Sequence, residues 1–142
     1  MKDMNDNIEF KRIWQDTDFY KLWMCFSNDK ISVKTELYTT DSKIDDLYDK
    51  IDSLIQNQVT EIFWQNGEKG NDTVPCVSMD MQKDKHGHVL IELYVEIDDG
   101  GELSKHNCCF YLSTDLMSLC NFNRRLLRIK ERKLGTYIQL AE

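Results

Sequence analysis

From Val89 to Ile97 every odd position is aliphatic: Val89, Ile91, Leu93, Val95 and Ile97. The even positions hold Leu90, Glu92, Tyr94 and Glu96. A period of two is what a strand with one buried and one wet face produces. Val77, Met79 and Met81 against Ser78, Asp80 and Gln82 repeat it just upstream. KDKHG is a tight connection between the two runs, and DDGGE leads into HNCCFYL. Residues 75–112 therefore predict three antiparallel strands, with Pro75 at an entrance that tolerates a residue unable to donate.

The rest of the chain supplies partners for that sheet. Ile8 to Trp14 is a weak leading strand, and Phe19 to Phe26 with Ile31 to Thr39 reads as a hairpin about SNDK. The period then changes. Ile44, Leu47, Tyr48, Ile51, Leu54 and Ile55 recur at helical spacing, with Thr40, Asp41 or Ser42 as N-cap and Asp45, Asp46, Asp49 and Asp52 outside. Glu61 to Gln65 is a short strand, and NGEKGNDTV is the clearest loop. Past Leu112, Ser113 or Thr114 caps a second helix buried through Leu116, Leu119, Cys120, Leu126 or Leu127, and Ile129 or Lys130. Asn121 and Asn123 mark a place where that helix could break. Gly135 stops it, and Leu134 to Leu140 returns as a last strand. ELYTTDSKIDDLYDKIDSLI and FYLSTDLMSLCNFNRRLLRI echo one another as strand, Thr-Asp cap and amphipathic helix.

These elements predict one α+β domain over residues 1–142. It would have two layers: a mostly antiparallel sheet of about 6-8 strands, with two amphipathic helices packed on one face. Apolar residues at 41% and charged residues at 30% fit a folded globule. No run approaches the ~20 apolar residues of a membrane span. MKDMNDNIEFKRIW lacks the apolar core of a secretory signal. A net charge of −7 argues against nucleic acid and anionic membranes as partners and suits a basic protein. The five cysteines are odd in number and form no CxxC, which points to buried thiols in a reducing cytoplasm.

With the aliphatic set turned to the helices, the open face of the sheet would carry Lys34, Glu36, Tyr38, Ser78, Asp80, Glu92, Tyr94, Glu96 and Tyr111. Trp23 and Cys25 join them, register permitting. Tyrosine and tryptophan suit binding surfaces because they bury much area and keep a polar tip. They are also ordinary cross-strand partners on a wet sheet. The predicted partner-binding residues are Trp64, Glu68 and Asp72 of the loop region with Asp80, Glu92, Tyr94, Glu96 and Tyr111 of the face.

Chemical motifs are sparse. His86 and His88 flank a glycine beside Asp84, and His106 lies two residues before Cys108, but nothing shows paired zinc-ligand spacing. Cys108 and Cys109 would point to opposite faces of a strand. Glu92 and Glu96 sit about 13 Å apart, too far for two-carboxylate hydrolysis. NGEKGNDT matches neither a Walker loop nor a dinucleotide fingerprint. The expectation is no enzyme, no catalytic residue, no cofactor and no resident metal. A small-molecule or metal-binding domain built on the His86/His88 region is the alternative. Helix acids and the IDDGGE stretch (97–102) could complement a basic protein, or simply be solvated.

The loop NGEKGN, the GHV entering a long strand, the DDGG turn and the CCFYLSTDL junction resemble those of a set of small bacterial domains. Together with the earlier strand-strand-helix half, the likeness covers most of residues 8 to 130. The pattern is distantly similar to immunity proteins of the wall-associated polymorphic toxin type. Such proteins are cytoplasmic, are not enzymes, and act by binding a cognate toxin. The resemblance implies a protein partner, here a basic toxin domain covered by an acidic surface. It carries over no contact residue, and self-association stays open.

Overall fold

The computed structural model describes residues 6–70, 74–97 and 106–141. Among them run β1 (Asn7–Gln15), β2 (Tyr20–Ser27), β3 (Ser32–Thr39), α1 (Asp41–Ile55), β4 (Glu61–Asn66), β5 (Val77–Lys83), β6 (His88–Glu96), β7 (Asn107–Asp115), α2 (Leu116–Leu126) and β8 (Tyr137–Gln139). A 3₁₀ turn, Leu127–Lys130, follows α2 directly. The α+β class holds. The expected single sheet does not, because the strands form two antiparallel sheets ordered β3-β2-β1-β8 and β4-β5-β6-β7. Period two tells each strand which side to bury but not which strand to pair with, and the helices here lead the chain from one sheet to the other.

That crossing follows a rule. Each half of the chain is a three-strand meander, a helix and one more strand. The last strand leaves its own meander and closes the edge of the other: β4 pairs with β5, and β8 pairs with β1. The registers coincide. Ile8, Phe10 and Arg12 face Phe26, Met24 and Leu22, as Val77, Met79 and Met81 face Val95, Leu93 and Ile91. One constant interval separates Leu37 from Leu112, Thr40 from Asp115, Ile44 from Leu119, Leu47 from Phe122, Ile51 from Leu126 and Leu54 from Ile129. The echo in the sequence is thus a repeat of β-β-β-α-β units that exchange their fifth element.

Both sheets and both helices share one core. α1 begins at Thr40, whose side chain accepts the Lys43 N–H. It buries Ile44, Leu47, Ile51 and Leu54, while Tyr48 and Ile55 pack partly buried against them. α2 is capped by Asp115, one residue beyond the expected Thr114, which is buried in β7 instead. It runs unbroken through Asn121 and Asn123. The Asn123 amide reaches the Tyr48 carbonyl of α1 at 3.1 Å, giving a buried polar residue mid-helix a partner. Phe122 is a core residue that the sequence reading passed over, and it packs edge-on to Phe10.

At one buried position the first half carries a charge where the second is apolar. Where the second half has Met81, the first has Arg12, only 1% exposed. Its guanidinium lies 3.7 Å over the Tyr20 ring. It donates to the Ile129 carbonyl at 2.5 Å and to Gln15 at 2.9 Å. Tyr20 in turn donates to Asp41. Burial lowers the Arg12 pKa, against the opposing pull of Tyr20 and Asp41. Arg12 therefore fastens the end of the second helix to the first sheet.

Candidate functional site

Side chains occupy main-chain groups on the outer edge of every sheet. Lys43 and Lys50 of α1 donate to the Gln65 and Phe63 carbonyls of β4. Arg125 donates to Gln139 of β8, Asn66 to Tyr38 of β3, and Asn28 to Tyr111 of β7. Asp6 accepts the Ser113 N–H of β7. Edges engaged in this way are poor templates for an added strand, which leaves the outer faces as the surfaces open to a partner.

The predicted open face is divided between the two sheets. Trp23, Cys25, Lys34, Glu36 and Tyr38 belong to the first, where Lys11, Lys21 and Lys34 balance Glu9 and Glu36. Lys21 and Glu36 pair at 3.4 Å. Ser78, Asp80, Glu92, Tyr94 and Tyr111 belong to the second. There the register sets three rows across β4, β5, β6 and β7: Glu61–Gln82–Leu90–Ser113, Phe63–Asp80–Glu92–Tyr111 and Gln65–Ser78–Tyr94–Cys109. No lysine or arginine stands in these rows. Asp80 and Glu92 are direct cross-strand neighbours, with exposed Phe63 and Tyr111 at either end. Like charges so placed repel.

The surrounding groups register this negative field. The Glu61 carboxyl is raised from its ordinary value by the hydrogen bond and charge of Asp80. The Tyr111 phenol is raised chiefly by the charge of Glu92, and the Cys109 thiol by burial and then by Glu92. One Asp80 oxygen, Oδ1, is shut off from solvent and makes no hydrogen bond. Two shallow concavities meet over this pair. One of about 260 Å³ is lined by Phe63, Lys69, Asp80, Glu92 and Tyr94 among others. One of about 110 Å³ lies between Asp80, Leu90, Glu92 and Tyr111.

Two of the predicted residues are placed differently. Trp64 is fully buried, and its indole N–H donates to the Lys43 carbonyl at 3.0 Å. In the run Ile62-Phe63-Trp64 alternation allows either face, and pairing of Ile62 and Trp64 with Met81 and Met79 sends Phe63 outward instead. Glu96 is on the outer side but fully covered. Its carboxylate accepts from Cys76 N at 3.0 Å, Gly70 N at 3.1 Å and Tyr94 Oη at 2.6 Å, so it pins the loop after β4 over the end of the sheet. Gly67 belongs to that fold-back: its φ is +83°, and a Cβ there would stand 2.6 Å from the Pro75 carbonyl oxygen. Burial, and then Glu96, raise the Cys76 thiol to about 11. Asp72 and most of the IDDGGE stretch lie outside the described residues, and Glu68 is exposed.

No family model, curated protein or solved structure matches the chain.

The turn with His86 and His88 lines a broad, open depression of about 830 Å³ together with Asp84, Leu90, Ser113 and Asp115. The Asp84 carboxylate already accepts the His86 and His88 N–H groups at 2.8 and 3.0 Å and faces His88 Nδ1 at 3.2 Å. Those backbone donors, that of His88 foremost, hold its pKa below the ordinary value. Among the described residues no three His, Cys, Asp or Glu side chains gather as a metal ion would need. All five cysteines are free, and no described helix is long and apolar enough to cross a membrane. Sequence reasoning missed Phe63, Glu61, Lys69 and Cys109. Phe63, Glu61 and Cys109 lay in recognised strands whose alternation could have exposed them, whereas Lys69 lay in the expected loop.

Proposed function

We propose that this chain is a cytoplasmic protein-binding domain of the immunity type, which neutralises a basic toxin domain by covering it. It performs no chemistry of its own. The contact surface is the outer face of the second sheet. The observation carrying this reading is the Asp80–Glu92 pair, with no lysine or arginine in its strand rows, set between exposed Phe63 and Tyr111. Aromatic anchors supply buried area, and unpaired acids attract a basic partner and set the rate of encounter.

The test is co-expression with any basic toxin domain found to be encoded beside it. The wild-type chain should restore growth. Asp80→Asn, Glu92→Gln and Tyr111→Ala together should weaken binding about a hundredfold or more. The matched set on the first sheet, Glu9→Gln, Glu36→Gln and Tyr38→Ala, should leave it nearly unchanged. Equal binding by both sets would remove the second sheet from the interface.

A further inference from the structure

The loop pinned by Glu96 brings one of the chain's own cations to the acidic face. Lys69 Nζ stands 4.5 Å from the centroid of the Tyr94 ring, in the wall of the concavity lined by Phe63, Asp80 and Glu92. A cation over an aromatic face beside carboxylates is an arrangement used to bind cationic groups. Here the seat is filled from within the molecule. Its backbone is fixed one residue away, where Gly70 N donates to Glu96. Vacating the seat therefore requires only rotation of the Lys69 side chain, while the loop stays latched.

We infer that the concavity between Phe63 and Tyr94 is a receptor for an arginine side chain of a basic protein partner, and that Lys69 occupies it as an internal competitor until that arginine arrives. The inference rests on the reading of this face as a partner-binding surface and adds what the partner presents and how access is gated. Arginine fits the geometry better than lysine. A planar guanidinium can lie against the Tyr94 ring while its N–H fork reaches both Asp80 and Glu92, neighbours across β5 and β6. An ammonium offers one compact charge. Asp80 Oδ1, without a hydrogen-bond partner, is an acceptor such a fork could engage after a small side-chain rotation.

The probe is a capped tetra-arginine peptide titrated into the isotopically labelled full chain, with a tetra-lysine peptide beside it. Resonances of Phe63, Gln65, Tyr94 and Cys109 should shift, and tetra-lysine should bind more weakly. Lys69→Met should tighten tetra-arginine binding about two- to fivefold, the worth of an exposed cation–π contact. Asp80→Asn with Glu92→Gln should weaken it about tenfold. Shifts confined to the α1 acids Asp45, Asp46 and Asp49, or unchanged affinity in Lys69→Met, would overturn the inference. The two proposals fail separately. Peptide binding with these responses in a chain that rescues no toxin-expressing cell leaves the receptor standing and removes the immunity reading. Rescue by the wild-type chain that is lost in Asp80→Asn with Glu92→Gln, while the concavity ignores the peptide, removes the receptor alone.

Discussion

The sheet of β3, β2, β1 and β8 and the sheet of β4 to β7 are built on one plan, with matching registers, matching buried positions and an exchanged fifth strand. They diverge in two places. Inside, the first has Arg12 and Tyr20 where the second has Met81 and Val89. Outside, the first carries interleaved lysines and glutamates, and the second carries Glu61, Asp80 and Glu92 with no lysine or arginine in its outward rows. The plan is held by apolar positions that both halves keep. The outer faces, free of that constraint, have taken different chemistry.

The largest effect should come from the exchanged strands. Trp64 of β4 and Ile138 of β8 occupy equivalent places, paired with Met79 and Phe10. Trp64→Ala should cost about 4 kcal/mol, and Ile138→Ala about 3 kcal/mol, read from urea unfolding. A much smaller cost for Trp64 would mean that β4 is not integral to the second sheet. Because Trp64 is buried, its replacement reports on folding and not on partner contact.

Arg12 sharpens the comparison next. Arg12→Ala leaves the Ile129 carbonyl without that donor and opens space against Tyr20, at a cost of about 3 kcal/mol. Arg12→Met gives the first half the residue of the second. It should cost only about 1–2 kcal/mol, because apolar packing replaces a buried charge while one carbonyl goes unpaired. Equal losses for the two variants would show that the guanidinium itself, not the filled volume, holds the helix end in place.

The smallest effects are electrostatic and opposite in sign. The Asp84 carboxyl is lowered by the backbone donors of its turn, so it contributes stability above the ordinary aspartate range. That contribution is lost as pH falls through its folded value, and the deficit of Asp84→Ala should fade on acidification. Glu61 is raised by Asp80, so the folded state gains stability as pH falls through the folded value of Glu61. Asp80→Asn should therefore help at neutral pH and make no difference in acid. Carboxyl NMR titration checks both directions, and a Glu61 value unmoved by Asp80→Asn would contradict the pairing.

Strands and helices were legible because burial imposes a period. Val89 to Val95 alternate as a half-buried strand, and Ile44 to Leu54 recur as a helix, in both sequence and structure. The start of α1, with Thr40 among three candidate caps, and the approximate ends of most strands followed from the turn residues, while β7 runs on to Asp115. Asp80, Glu92 and Tyr111 could be assigned to an outer face for the same reason. Trp64 could not, because three successive apolar residues satisfy either phase. Glu96 could not, because a loop twenty and more residues upstream covers it.

What the chain determines by itself is local: which residues bury, at what period, and where each element starts and stops, since these depend on neighbours a few positions away. Which strand pairs with which was decided only when the chain closed. β4 joins β5 and β8 joins β1 because each meander leaves an edge that its own helix carries the chain away from. The acidic rows and the Lys69 seat are products of that pairing, so they exist only in the assembled sheet.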